Sequence, residues 1–214
     1  MGLDFNLSKA MGLFINGITT LSLTLQNFKK KLISFKEILP LFFISLFFAF
    51  LGAHGSCYIP EPVVKTIFAL FILLSLALLF LGHLKSGNNS IKSTPIVLYS
   101  VVMLIAFTGG LIGVGGGAIY LPLFLYVGMR TRESIAMTSA LIPVVSFSAF
   151  FTYSSFVTID WILLLNVTIA AILGAYFAHK ISQKIKDEKY LKIIISLLLV
   201  LIAAYMIYTQ VLVK

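Results

Sequence analysis

The stretch that decides the fold reads GGLIGVGGGAIYLPL, from Gly109 to Leu123, and it lies inside a long apolar run. Six of its first nine residues are glycine, which is less favourable than alanine inside a helix by about 1 kcal/mol per residue. Consecutive glycines are expected to end one helix and begin another, so Gly113–Gly117 should be unwound. The first part, GGLIG, fits close helix packing equally well, because small residues let transmembrane helices approach each other.

Composition indicates a polytopic membrane protein. The 214 residues are 60% hydrophobic and 11% charged, with a mean hydropathy of +1.07, whereas soluble domains are nearer half apolar and a quarter charged. We expect an all-α fold of about seven or eight transmembrane helices, since in lipid each backbone polar group needs a partner within its own segment. The predicted spans are 10–26, 37–55, 62–82, 95–127, 134–153, 160–178 and 189–211.

Loop charge indicates whether the overlong segment 95–127 crosses the membrane once or folds back as a hairpin. The chain has sixteen Lys and Arg residues and a net charge of +9. A hairpin places thirteen of these cations on one face and three on the other, whereas a single crossing splits them nine to seven. The positive-inside rule favours the hairpin, with both ends cytoplasmic. Because topology explains the cations, nucleic-acid binding is not expected.

Two halves of the chain are weakly similar to each other. GLDFNLSKAM from Gly2 aligns with GMRTRESIAM from Gly128, and equivalent loops carry opposite charge bias. Opposite bias is typical of inverted-topology repeats, the architecture of many secondary transporters. We therefore predict a first repeat over 1–92 and a second over 93–214, within a single membrane domain. The first repeat is expected to lack its N-terminal Gly-rich hairpin.

The glycines are also the leading candidate for a binding site. N–H groups of the unwound segment, together with the N-terminus of a helix from Ala118, present partial positive charge to an anion. Hydroxyl and amide groups on the helices that follow each hairpin position recur at helical spacing and would line a polar cavity. Interhelical or own-backbone hydrogen bonding is the alternative role for these side chains. The predicted substrate-binding residues are Gly113, Gly115, Gly116, Gly117, Ala118, Asn16, Thr20, Ser139 and Ser146.

Enzymatic and metal-dependent functions find no support in the motifs. The sequence contains no His-Glu-x-x-His, no Gly-x-Ser-x-Gly and no Gly-x-x-x-x-Gly-Lys-Ser/Thr. A single cysteine, Cys57, excludes a thiolate cluster, and three scattered histidines form no ligand pair. We expect no catalytic residue, no metal and no cofactor. No carboxylate lies deep within a predicted span, so no proton carrier is identified.

The second half resembles the TauE/SafE family of membrane transporters. The resemblance rests on a Gly-x-Gly-Gly-Gly stretch at Gly113–Gly117, then Pro122, Gly128, and Ala136 followed closely by Thr138-Ser139. It covers about 95–211 well and 2–83 weakly. It implies a multi-pass protein of the prokaryotic cytoplasmic (inner) membrane that moves sulfite, sulfonates or related anions.

We therefore expect a secondary transporter that exports a small anion across the lipid bilayer. The anion would lie against the N–H groups of Gly115–Ala118, with Ser139 and Ser146 completing its shell, while the two halves rock around it. The alternative is a non-transporting membrane scaffold or subunit, or an inactive truncated transporter. The sequence leaves open the substrate, the direction, the coupling ion and whether the chain forms a homo-oligomer.

Overall fold

The computed structural model describes residues 4–29, 35–84, 95–126, 129 and 131–182, with Leu197 and Leu201 beyond them. This part of the chain is all helical and contains no strand. Its helices are α1 (Phe5–Lys29), α2 (Phe35–Ser56), α3 (Glu61–Leu84), α4 (Pro95–Ile112), α5 (Gly117–Tyr126), α6 (Thr131–Ser154) and α7 (Trp161–Ser182). The all-α prediction is confirmed, and five predicted spans each coincide with one helix to within a few residues. The predicted span 189–211 lies outside the described residues.

The outer surface of the helices is apolar, as expected for segments in contact with lipid. Phe43, Phe151 and Ile162 are 61%, 66% and 77% exposed. Soluble monomers rarely expose large contiguous apolar patches, so this surface fits a membrane protein. Among the residues that the structure describes, two segments are long and apolar enough to span a membrane, Ile38–Ser56 and Glu133–Ser154, while the apolar segments Ile96–Ile112 and Trp161–Ala175 are shorter.

Helices α2 and α6 end on the same face of the bundle, which we call the aromatic end. The ring of Phe156, after α6, lies 5.7 Å from the ring of His54 and 6.4 Å from that of Tyr58. Trp161, the first residue of α7, is 63% exposed, and aromatic residues concentrate at membrane–water interfaces. A single crossing between α3 and α6 would place the ends of α2 and α6 on opposite faces. The shared face therefore confirms that segment 95–127 turns back.

Helices α1 and α6 pack against each other in opposite directions at the centre of the bundle. Near the start of α1, Lys9 Nζ lies 2.8 Å from Ser56 Oγ at the end of α2, so α1 begins at the aromatic end where α6 finishes. The ring of Phe14 lies 4.9 Å from that of Phe150 across this interface. Helix α2 packs against α4 and α6, and α3 packs against α5.

Two glycines let α2 and α4 approach until their backbones touch. A Cβ atom on Gly52 would collide with the carbonyl oxygen of Phe107, and one on Gly110 with the carbonyl oxygen of Ala49. Such close approach is typical of small residues in membrane helices. Gly110, within the GGLIG segment, therefore serves helix packing.

Helix bounds recur along the chain with a constant shift. Helix α2 covers residues 35–56 and α7 covers 161–182, so both ends differ by 126 residues. The same shift carries the start of α1, at residue 5, onto the start of α6, at residue 131. Because α1 and α6 run in opposite directions, these bounds support the proposal of inverted repeats over 1–92 and 93–214.

Candidate functional site

A short loop of glycines joins α4 to α5 and forms the irregular backbone inside the bundle. Gly113, Gly115 and Gly116 have φ values of 84°, 72° and 74°, a conformation that other residues rarely adopt. The loop returns against the end of α4, since a Cβ atom on Gly109 would lie 2.8 Å from the Gly116 nitrogen. We call residues 113–116 the glycine loop. Gly117 was expected to be unwound with the helix beginning at Ala118, but α5 already begins at Gly117.

The hydrogen bonds around the glycine loop leave a gap in the middle. Before the gap, the N–H groups of Gly113 and Val114 donate to the Gly109 carbonyl at 3.0 and 3.1 Å. After it, two N–H groups in the first turn of α5 donate to the Gly116 carbonyl at 3.1 and 3.2 Å. Between them, three consecutive N–H groups have no hydrogen-bond acceptor within the described residues. They belong to Gly115, Gly116 and Gly117.

Two of the predicted side chains meet the loop at Gly115. A Cβ atom on Gly115 would collide with Ser146 Oγ and lie 2.8 Å from Asn16 Nδ2. Asn16 Nδ2 also donates to the Val114 carbonyl at 3.1 Å, which anchors the loop to α1. Ser146 is 0% exposed, and its hydroxyl is among the buried polar groups with no hydrogen-bond partner in the described part of the chain. The structure therefore brings Asn16, Ser146 and Gly115 together.

The other two predicted side chains lie elsewhere. Ser139 Oγ donates to the Ala136 carbonyl at 2.7 Å and accepts a hydrogen bond from Asn27 Nδ2 at 2.8 Å. It stands two helical turns, about 10 Å, from Ser146 along α6, so it ties α6 to α1 and does not join the loop. Thr20 Oγ1 donates to the carbonyls of its own helix. Both hydroxyls therefore have the alternative role named above, since they form hydrogen bonds within their own helix or to a neighbouring helix.

The remaining glycines of the segment face apolar or aliphatic groups. A Cβ atom on Gly116 would lie 2.9 Å from the ring of Tyr120 and 3.0 Å from Ile105. One on Gly117 would lie 2.8 Å from Ile142. Side chains do not fit at these positions, so Gly116 and Gly117 contribute backbone N–H groups to the candidate site.

Lys9 borders the glycine loop and was missing from the predicted site. Its side chain runs along Gly113, where an added Cβ atom would lie 2.6 Å from Lys9 Cγ. The residue is 6% exposed. The lysine was treated as a loop cation that sets topology. A signal was available, because Lys9 precedes Asn16 by seven residues and therefore shares its helical face.

The chemistry of the loop is that of a donor cluster. The described residues around it supply three free N–H groups, the Asn16 amide, the Ser146 hydroxyl and the nearby Lys9 ammonium. No group of three or more His, Cys, Asp or Glu side chains able to hold a metal occurs in the part of the chain that the structure describes. An arrangement of this kind suits a ligand that accepts hydrogen bonds.

Comparison with known proteins gives one family. A family model described as Sulfite exporter TauE/SafE matches residues 1–206. A probable membrane transporter protein of Methanocaldococcus jannaschii is 26% identical over 206 residues, covering 91% of this chain and 75% of the relative. A probable membrane transporter protein of a Sinorhizobium species is 29% identical over 199 residues, covering 90% of this chain and 72% of the relative. No solved structure matches the chain significantly.

Proposed function

Because the chain belongs to the TauE/SafE family of membrane transporters, we propose that it exports a small oxyanion such as sulfite or a sulfonate. One observation carries the proposal. The glycine loop and the start of α5 present three consecutive free N–H groups. The first of them, Gly115, lies against Ser146, a fully buried hydroxyl without a partner in the described residues. A buried polar group without a hydrogen bond costs about 1–3 kcal/mol, so a ligand that satisfies it gains this energy.

The donors match an anion better than a neutral or cationic substrate. The N-terminus of a helix carries roughly half a positive charge, and α5 is long enough, at 10 residues, to have this dipole. N–H groups that follow one another through left-handed residues form concave anion sites in other proteins. An oxyanion with several oxygens can accept from the loop and from Ser146 together. A cation would meet the same dipole with the wrong sign.

Transport requires that the site open, because Ser146 is 0% exposed. The proposed mechanism is a rocking of the two halves, in which the glycine loop and α6 move relative to α1 and the loop is exposed to one face at a time. Substrate sites at broken helices between repeats are the general arrangement in secondary transporters. The charge bias of the loops assigns the aromatic end to the extracytoplasmic side.

Flux through proteoliposomes tests the proposal. The full chain is reconstituted, and export of radiolabelled sulfite and methanesulfonate is measured for the parent, Gly115→Ala and Gly12→Ala. Alanine at Gly115 meets Ser146 and Asn16 at a positive φ, whereas alanine at Gly12 meets nothing within 4 Å. We expect Gly115→Ala to lose sulfite and methanesulfonate flux and Gly12→Ala to keep it. Equal flux in both variants would contradict the proposed site.

A further inference from the structure

Lys9 places a full positive charge next to the glycine loop. Its Nζ lies 2.8 Å from Ser56 Oγ, 4.6 Å from the centre of the Phe5 ring and 4.5 Å from that of Tyr153. The Tyr153 hydroxyl in turn donates to the last carbonyls of α4, at 2.9 and 3.0 Å. The ammonium is therefore held in a fixed position by a hydroxyl and two aromatic faces.

No carboxylate lies within ion-pair distance of this charge in the described part of the chain, and Glu61 and Asp4 attract it only from farther away. The one ion pair there joins Lys65 to Glu61 at 2.6 Å, on the surface. Lys9 itself is 6% exposed, so its ammonium is largely removed from water. Buried charges in proteins are normally paired, and unpaired ones within membrane segments mark ion or substrate pathways. The energetic cost of this lysine therefore points to a ligand with negative charge.

The position of Lys9 relates it to the transport path. The stem of the side chain touches Gly113 of the glycine loop, and the ammonium reaches Ser56, the last residue of α2. Lys9 thus lies between the loop and the aromatic end. Lys9 and Asn16 are separated by about two turns of α1, or 10 Å. An ion that moves from Gly115, beside Asn16, to the aromatic end would therefore pass the ammonium.

We propose that Lys9 is a specificity-determining residue that binds the transported anion on its way between the glycine loop and the aromatic end. The inference rests on the proposed function and adds charge selection to it. The neutral N–H donors of the loop can bind any ligand with lone pairs. The ammonium, in contrast, distinguishes an oxyanion from an uncharged molecule of the same shape. Ser56, Phe5 and Tyr153 position the ammonium and are not themselves binding groups.

Substitutions of Lys9 separate this role from a structural one. Lys9→Met removes the charge and keeps the length of the stem, so the fold should be kept or stabilised. Lys9→Gln is also neutral but retains a donor for Ser56, which covers the case that Lys9→Met fails to fold. Lys9→Arg keeps the charge. The matched control is Lys65→Met, which removes a lysine from the same end of the bundle, where the side chain is 34% exposed.

Thermal-shift titration of the purified full chain gives the readout. Methanesulfonate is the anionic probe, and dimethyl sulfone is its uncharged counterpart of similar shape. The parent should be stabilised by methanesulfonate far more than by dimethyl sulfone. Lys9→Met and Lys9→Gln should weaken methanesulfonate binding by about tenfold or more, the loss of one charge-assisted contact. Lys9→Arg and Lys65→Met should stay within about threefold of the parent.

The outcomes distinguish the two proposals. Binding of methanesulfonate by both neutral Lys9 variants as in the parent would overturn the role of Lys9. If Ser146→Ala weakens binding in that case, the glycine-loop site stands and the Lys9 inference alone fails. If neither Ser146→Ala nor the Lys9 variants change binding, or the parent itself binds neither methanesulfonate nor sulfite, both proposals fail.

Discussion

Ser146→Ala should affect stability and substrate binding in opposite directions. The Ser146 hydroxyl is fully buried and has no partner in the described residues. Desolvation of such a group costs about 1–3 kcal/mol in the folded protein. Alanine removes that cost and leaves only the space of one oxygen, so we expect the free energy of unfolding to stay equal or rise by about 1 kcal/mol. For a chain of this size, that is an increase in Tm of roughly 2–4 °C.

The same substitution should weaken the binding of the anion. A hydrogen bond to a charged group contributes about 1.5–3 kcal/mol, so losing the Ser146 donor should raise the Kd for sulfite by roughly 10- to 150-fold. Tm in detergent measures the first effect. Its shift with sulfite concentration, together with sulfite flux in proteoliposomes, measures the second.

Ser139→Ala is the matched control on the same helix. Its hydroxyl already bonds to Ala136 and Asn27, so its loss should lower stability by about 1 kcal/mol and leave the Kd for sulfite unchanged. The reasoning would be refuted if Ser146→Ala lowered Tm while sulfite bound as in the parent. That pattern would mean that the Ser146 hydroxyl serves the fold and not the ligand.

Two further substitutions test the loop anchor and the helix contact. Asn16→Asp replaces the donor to the Val114 carbonyl with a carboxylate, which repels an anion, so sulfite affinity should fall at least about tenfold while Asn6→Asp in the same titration leaves it unchanged. Gly52→Ala pushes against the Phe107 carbonyl and should lower stability by about 1–3 kcal/mol in thermal unfolding. Gly55→Ala, which meets nothing within 4 Å, should raise stability by up to about 1 kcal/mol.

The sequence predicts the helices and the hairpin well, because both depend on local pattern. The length of the apolar segments, the run of glycines and the charge of the loops can each be read from the sequence without knowing tertiary contacts. Together they identified the break between α4 and α5. The boundary at Gly117 was one residue off, since its N–H needs no helical partner at the first position of a helix and glycine is tolerated there.

The site was predicted only in part, because side-chain roles depend on neighbours distant in sequence. Ser139 and Ser146 share one face of α6, and nothing local distinguishes them. Asn27 in α1 binds Ser139, whereas Gly115 lies against Ser146, and both contacts exist only after the helices pack. Lys9 was counted among the three cations of the less basic face, because it precedes the first predicted span, 10–26. Its burial follows from Ser56 and Tyr153, which no local pattern connects to it.

The three left-handed glycines have a consequence for regulation by acidity. Two of them, Gly115 and Gly116, offer free amide N–H groups to a ligand, and an amide does not gain or lose a proton at physiological pH. The neutral part of the candidate site therefore keeps the same donors at every physiological pH. Any dependence of flux on pH must come from the protonation of the anion itself or from ionisable groups outside the loop. Comparing sulfite, which titrates near neutrality, with methanesulfonate, which does not, would separate these sources.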